Sequence, residues 1–447
     1  MITEDEKTLA RECLDFARNA GAQNCRITLT KSTEDQISTL DGEIDKVTRC
    51  ADRSMNIALF VDGRYGAFSI NKLERDTLKE FISKAVETVR MLAPDEFRVL
   101  PHPNRYCKTA LTGRELDSYD PSYSLIDAGQ RRRRALDASV FKRCPELPGG
   151  ARLISEEGEY SDSEYDVYLI DSQGLDCRHT ETSFDYGVEV TIESPKGNKY
   201  SDYWWTSASK QDEFNASECS MTAIRRACGQ IGAKPMKSGR YNMVVASNVA
   251  SRLVSPLINA LNGYSLQQGN SFLVGSMGKR LFSDKLNIID DPWRKGESGS
   301  KLFDTEGVAT RETKIIENGM VVRYFVNTYM SGKMHHPLTG EDAIRPRLLA
   351  YPSDDMDMNS LMALCGDGIL VNDFNGGNCN QATGDFSYGI SGQLFKDGKC
   401  VKPVSEMLIT GNFLTLWKNF LGAGTDFRRC ATKLIPSLAF CEVDFSG

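Results

Sequence analysis

Several residue patterns that assign chemistry to a protein are missing from this chain of 447 residues. It has only four histidines, His102, His179, His335 and His336, and no HExxH pattern, by which a helix presents two imidazoles to one metal. His335 and His336 are adjacent, so a capping or surface role is predicted for them rather than joint ligation. No two of the 13 cysteines are closer than nine positions, which excludes zinc knuckles and thioredoxin-type CxxC motifs.

Signals for export, for membranes and for nucleic acid are also missing. The chain begins MITEDEKTLA, without a basic stretch or an apolar core, so no secretory signal is predicted. No apolar run reaches the roughly 18 residues of a membrane span. The net charge of −7 disfavours nucleic acid, and the one basic run, Arg131–Arg134, is predicted to be a solvated helix face. Free thiols in this number fit a reducing compartment, so we expect a cytoplasmic protein with neither nucleic acid nor membrane as partner.

The usual nucleophile motifs are absent as well. There is no GxSxG elbow, and the two Ser-x-x-Lys matches, Ser207/Lys210 and Ser276/Lys279, are near chance for so loose a pattern. Cys379 would need a general base, which four scattered histidines do not readily supply. We therefore expect Cys379 to be a small buried hydrophobe.

The patterning that is present predicts an α+β fold with two domains. Thr3 and Glu6 form a capping box before a first helix, and further helices are predicted at about 73–92, 122–143 and 214–230. Ser255-Pro256 is predicted to start a fresh helical turn that Gly263 ends. The stretch 234–239 is the predicted boundary, which gives a helix-decorated α+β domain over 1–235 and a mainly antiparallel β domain over 236–447.

Residues 375–392 read NGGNCNQATGDFSYGISG and contain five glycines. Their spacing does not fit a phosphate-binding loop, and a strand pattern rather than a helix follows. In an extended chain Phe386, Tyr388, Ile390 and Leu394 share one face, while Ser387, Gly389 and Ser391 share an almost bare one. The segment 375–384 is predicted to be a tight polar loop. Two interpretations stay open: a bulged strand beneath another layer of the same protein, or a surface that a ligand or partner backbone approaches closely.

This stretch resembles the signature of the TldD/PmbA family, also called the modulator-of-DNA-gyrase family. The likeness covers essentially the whole chain. Its further motifs are Leu261-Asn-Gly263, Asn270-Ser-Phe272, Asp290-Asp-Pro292, Phe303-Asp-Thr-Glu-Gly-Val-Ala309, Gly398-Lys399, Pro403-Val404, Ile409-Thr-Gly-Asn412 and, more loosely, VDGRYGAFS at 61–69.

The resemblance implies a subunit of a two-component cytoplasmic metalloprotease. The TldD type carries HExxxH on a helix and binds a metal with a further cysteine, whereas the PmbA (TldE) type lacks that motif. The matching stretch here holds Val254 and Asn259 at the two histidine positions and Ser255 at the glutamate position, so the chain resembles the PmbA type. We therefore expect no cofactor in this chain and zinc only in a TldD-type partner.

The expected role is a non-catalytic subunit that supplies peptide-binding and interface surface. The expected partners are a TldD-like subunit, or a second copy in a homodimer, and an extended or unfolded peptide substrate. The residues predicted to contact peptide or partner are Asn375, Gly376, Gly377, Asn378, Thr383, Gly384, Asp385, Ser387, Gly389 and Ser391. Two alternatives remain: a peptidase active alone, through an unrecognised nucleophile such as Cys379 or a metal site across a homodimer, and a regulator of DNA gyrase.

Overall fold

A computed structural model describes residues 1–447. Its helices are α1 Glu4–Ala20, α2 Arg75–Val89, α3 Ala128–Ala138, α4 Cys219–Cys228, α5 Ser247–Ala260, α6 Gly263–Gln267, α7 Thr328–Met334, α8 Met358–Cys365 and α9 Phe413–Lys418. Its strands are β1 Asn24–Leu40, β2 Glu43–Val61, β3 Arg64–Ile70, β4 Arg152–Asp171, β5 Asp176–Glu193, β6 Lys199–Ala208, β7 Gly239–Val245, β8 Ile288–Asp290, β9 Thr313–Glu317, β10 Met320–Val321, β11 Pro346–Leu348, β12 Gly368–Cys379, β13 Asp385–Lys396, β14 Lys399–Asn412, β15 Phe420–Ala423 and β16 Leu438–Ser446. Helices and mainly antiparallel sheets confirm the predicted α+β class.

The first half of the chain is one antiparallel sheet in the order β3-β2-β1-β4-β5-β6, with helices on one face. α1 begins at the predicted capping box, in which Thr3 and Glu6 satisfy each other's backbone N–H groups. α1 and α2 cover one end of the sheet around Ile27, and α3 and α4 cover the other end around Ile37. Ile27 and Ile37 are an even number of residues apart on β1, so both helix pairs lie on the same face.

The prediction of a solvated face for the basic run is wrong at Arg131. Its side chain is buried and makes a bidentate ion pair with Asp162, whose carboxylate is fully buried on β4. Arg132 and Arg133 are exposed as expected. Arg134, one turn later, is half-buried and donates to the Tyr160 hydroxyl, so two of the four positions face the sheet on which α3 packs.

The second half is built around the sheet order β14-β13-β12-β7-β16-β15. β14 also pairs with β16, which joins five strands into a closed ring, and only β12 and β7 run parallel. A small sheet, β10-β9-β8-β11, lies beside it. The largest apolar core lies between these strands and α5, with members such as Leu257, Tyr388 and Trp417. The cores of the two halves share no residues, and the boundary at 235/236 stays a prediction.

Proline does not divide α5 as predicted. α5 runs without interruption over Ser247–Ala260 with Pro256 inside it, and α6 begins separately at Gly263 after an Asn262 cap. Proline removes only one backbone donor, and here its ring is buried on α5 beside the large cleft of the second half. The packing of α5 therefore outweighs the cost of the helix hydrogen bond that Pro256 cannot make. No helix in the chain is both long and apolar enough to cross a membrane.

Candidate functional site

A cleft of about 730 Å³ lies between α5 and the hairpin of β12 and β13. The helix side contributes polar side chains such as Ser255 and Asn259, and the hairpin side contributes Asn378 and Gln381. The other lining residues are Tyr203, Asn248, Val249, Ser251, Arg252, Pro256, Asp373, Phe374, Gly376, Cys379 and Tyr388. The cleft is therefore mostly polar and open to solvent on one side, with an aromatic wall.

The positions that match the metal motif lie on α5 at this cleft, and they do not fit a metal. Val254 is fully buried in the apolar core, while Ser255 and Asn259 line the cleft. The alkyl side chain of Val254 has no lone pair for a metal, and the Ser255 hydroxyl accepts a hydrogen bond from a lysine. The chain also has no cluster of three or more His, Cys, Asp or Glu side chains placed to hold a metal ion.

The glycines of the hairpin are largely explained by close approach within the sheet. A Cβ on Gly392 would lie 1.8 Å from the carbonyl oxygen of Leu370, and one on Gly377 would lie 2.0 Å from that of Ser387. Both glycines lie at or next to register shifts between neighbouring strands. Gly376 differs, because its φ is +133° with open space around it, and it lines the cleft. The stretch is therefore a bulged strand, as the first interpretation has it, but these glycines admit neighbouring strands of the same sheet rather than another layer.

The segment 375–379 is strand rather than the predicted loop, and the hairpin turn covers only residues 380–384. The alternation on β13 is as predicted: Phe386, Tyr388 and Ile390 are buried toward α5, and Ser387 is exposed on the opposite face. β13 lies between β12 and β14, so it has no free edge for strand addition. Any contact with a peptide must use its face or its turn.

The structure does not bring all ten predicted contact residues into one site. Gly376 and Asn378 line the cleft on α5's side, and Asn375 and Gly377 adjoin them on β12. Ser387, Gly389 and Ser391 lie on the other face of β13, where Ser391 borders a separate cleft of about 280 Å³. Thr383, Gly384 and Asp385 form the turn, where the Asn412 amide donates to Asp385 and holds the pKa of that carboxyl low. The predicted set thus divides over three surfaces, and its binding role stays a prediction.

Arg252 connects α5 to the hairpin across the cleft. Its guanidinium donates to the carbonyl oxygen of Gly377 at 3.1 Å and lies 5.1 Å from the ring centre of Tyr388. Burial raises the pKa of the Tyr388 hydroxyl, so this tyrosine stays neutral over the physiological range. Arg252 and Tyr388 therefore give the cleft one fixed positive charge beside a neutral aromatic surface.

One close polar pair at this cleft is not visible in the sequence. The Lys433 ammonium donates to the Ser255 hydroxyl at 2.6 Å, although the two residues are 178 positions apart. Burial lowers the pKa of Lys433, and the lysine makes no ion pair with any carboxylate. A local motif such as Ser-x-x-Lys cannot detect this pair, because only the fold brings the two residues together.

Lys433 also borders a second cleft, of about 460 Å³, between the two halves of the chain. β5 and β6 supply Asp185 and Trp205 from the helix-free face of the first sheet. Asn248 and Ser251 line both this cleft and the larger one. The two clefts are therefore neighbours along α5, with Ser255 and Lys433 between them.

The family models match most of the chain. Residues 125–231 match the PmbA/TldA metallopeptidase central domain, and residues 238–447 match the PmbA/TldA metallopeptidase C-terminal domain. The metalloprotease PmbA of Escherichia coli O157:H7 is 24% identical over 445 residues, which cover 98% of this chain and 95% of that protein. Together these matches define a chain related to the PmbA/TldA metallopeptidases.

Comparison with solved structures supports the same family. A crystal structure from Bacteroides thetaiotaomicron, of a protein described as a candidate modulator of DNA gyrase, is 35% identical and superposes with a TM-score of 0.93 over 100% of both chains. TldE from Thermococcus kodakarensis has the same fold, with a TM-score of 0.80 over 98% of this chain and 100% of its own, at 19% identity. The chain belongs to the PmbA/TldD family, as its motifs predicted.

Proposed function

We propose that this chain is the non-catalytic, PmbA/TldE-type subunit of a metalloprotease complex, and that it supplies peptide-binding and subunit-interface surface. The observation that carries the proposal is the composition of α5, where Val254, Ser255 and Asn259 occupy the positions of the metal motif. A metalloprotease needs a metal that polarises the scissile carbonyl, a general base and a groove for the substrate. Of these three requirements of a metalloprotease, this chain meets only the last, the groove.

The cleft beside α5 is the proposed peptide surface. Its side-chain amides, from Asn259, Asn378 and Gln381, suit hydrogen bonds to the peptide groups of an extended chain. The half-buried ring of Phe374, which packs against the buried ring of Tyr388, offers apolar contact for substrate side chains. A polar floor with an aromatic wall favours loose recognition of many unfolded peptides over one tight ligand.

The subunit role is tested by metal content and chelator-sensitive cleavage. The chain is purified alone and together with a TldD-type subunit, and both samples are assayed for bound zinc and for cleavage of an unfolded peptide. We expect zinc and chelator-sensitive cleavage only with the partner. Stoichiometric zinc and chelator-sensitive cleavage in the lone chain would contradict the proposal.

The cleft itself is tested in the assembled complex by Asn259→Trp. The indole would fill space that the peptide occupies, so we expect about a tenfold higher KM for peptide, equivalent to about 1.4 kcal/mol of lost binding. Asn359→Trp is the matched control, because Asn359 is an exposed helical asparagine on α8 that lines none of the clefts described. Equal KM values for the two variants would remove this cleft from substrate binding.

A further inference from the structure

The contact between Ser255 and Lys433 has the geometry of a nucleophile and its base. Ser255 Oγ lies 2.6 Å from Lys433 Nζ and faces the larger cleft. The hydroxyl is half-buried and so accessible from solvent, while its helix is fixed in the core by Val254 and Leu257 on the opposite side. A rigid element therefore presents the hydroxyl to a cleft, with an amine in hydrogen-bond contact.

The surroundings of Lys433 favour its neutral form. The charged and titratable groups that share its cleft are Asp185 on β5 and Arg428 and Cys430 on the segment before it. None of these makes an ion pair with Lys433, and burial alone accounts for the lowered pKa of its ammonium. A carboxylate beside the ammonium would favour its charged form and keep the lysine protonated. This lysine lacks such a partner, and a neutral lysine is what a general base requires.

We propose that Ser255 and Lys433 form a serine–lysine catalytic pair that hydrolyses an amide or ester bond of a peptide bound in the cleft. This activity goes beyond the proposed function, in which the chain is non-catalytic in the metal-dependent cleavage and a partner's metal breaks the bond. It is independent of metal and belongs to the chain itself. The substrate class follows from the cleft, which is lined by the amide side chains of Asn259 and Asn378 as well as by Ser255.

The reaction balances with water as the only co-reactant. Neutral Lys433 accepts the Ser255 hydroxyl proton while Oγ forms a bond to the carbonyl carbon. The lysine ammonium then returns that proton to the leaving amine or alkoxide as the carbon–nitrogen or carbon–oxygen bond breaks. A water then attacks the carbonyl carbon of the resulting ester on Ser255 and passes one proton to Lys433. Lys433 returns that proton to Ser255 Oγ as the bond from Oγ to the carbonyl carbon breaks, which releases the acid and restores the free hydroxyl and the neutral amine. Asn259 is four positions after Ser255 on α5, so its amide lies on the same side of the helix and is the proposed donor for the developing oxyanion.

The competing role for Lys433 is purely structural, as a tether between the segment before β16 and α5. A tether needs a donor and a charge but no neutral state. Lys433→Arg separates the two roles, because arginine retains a donor and a charge yet cannot lose its proton in this pH range. A tether would survive this substitution, whereas a base would not.

The test uses the full-length chain and a fluorophosphonate probe, which reports an activated serine without knowledge of the substrate. In labelling, Ser255 Oγ bonds to phosphorus, fluoride leaves, and Lys433 accepts the proton. We expect a single adduct, which peptide mass spectrometry places on Ser255. The rate of labelling should rise with pH, with a midpoint below the ordinary pKa of a lysine side chain. Ser255→Ala should abolish the adduct, and Lys433→Arg should slow it about 100-fold at an unchanged melting temperature. Ser265→Ala, on α6 and outside the clefts, is the matched control and should label normally.

Two results would overturn the inference. One is the absence of an adduct on Ser255 in the wild-type chain. The other is a labelling rate in Lys433→Arg equal to that of the wild type. Neither result bears on the proposed subunit role, because that role depends on zinc and chelator-sensitive cleavage with a partner.

Discussion

At the scale of single residues, the glycines of the β12–β13 hairpin show what a glycine-rich signature encodes. Gly377 and Gly392 admit neighbouring strands of their own sheet, so their first role is to permit the bulged register. From the sequence, internal packing and ligand contact were equally good explanations, because composition does not say which backbone approaches. Only Gly376 combines a positive φ with open space at the cleft.

The prediction at this scale is that Gly392→Ala is strongly destabilising. Its Cβ would meet the carbonyl oxygen of Leu370 at 1.8 Å, and backbone cannot move aside as a side chain can. We expect a loss of about 3 kcal/mol in the free energy of unfolding, measured by urea denaturation. Gly187→Ala on β5 is the control, since its Cβ would meet nothing closer than 4.0 Å, and it should be neutral or stabilising by about 0.5 kcal/mol. A neutral Gly392→Ala would show that the bulge can relax.

At the scale of elements, periodicity and capping residues predicted where helices occur, but α3 at Ala128–Ala138 and α4 at Cys219–Cys228 are shorter than the predicted 122–143 and 214–230. α1 and α2 lie where the pattern placed them, with ends that differ by up to three residues for α2. The prediction was wrong where tertiary packing overrides a local rule, as at Pro256 inside α5 and at Arg131 on α3. A buried arginine cannot be read from helix periodicity, because its partner Asp162 lies on a strand 31 positions away.

The prediction at this scale concerns that buried pair. Arg131→Met keeps the apolar stem but leaves the Asp162 carboxylate buried with only the Tyr160 hydroxyl as a donor, so we expect a loss of about 3 to 5 kcal/mol in chemical denaturation. The double variant Arg131→Met with Asp162→Leu should regain much of this, since no charge is then buried alone. Lys84→Met is the control, because its i,i+4 pair with Glu80 is exposed, and we expect no measurable change. Equal effects at the two sites would show that Asp162 finds another partner.

At the scale of the whole molecule, the two halves meet through the helix-free face of the first sheet and the free edge of β6. The sequence predicted two halves but could not predict their contact, because the residues that make it are far apart in the chain. Arg428 shows this best: its guanidinium lies 4.3 Å from the ring centres of both Trp204 and Trp205, and it donates to the carbonyl oxygen of Trp205. It thereby covers an edge strand that would otherwise expose unpaired backbone groups.

Arg428 is also the natural place to test whether that contact holds the halves together. Arg428→Ala removes two cation–π contacts and one charged hydrogen bond, so we expect the interface to weaken by about 2 kcal/mol. The stretch 229–239, which joins the halves, should then be cut faster in limited proteolysis, while each half keeps its own core. Arg429→Ala is the matched control, because Arg429 is exposed and its contact to Arg345 is made by the backbone carbonyl. If both variants are cut at the wild-type rate, the halves are held by the remaining contacts, such as Phe303 against Cys177, and Arg428 serves only to cover the edge of β6.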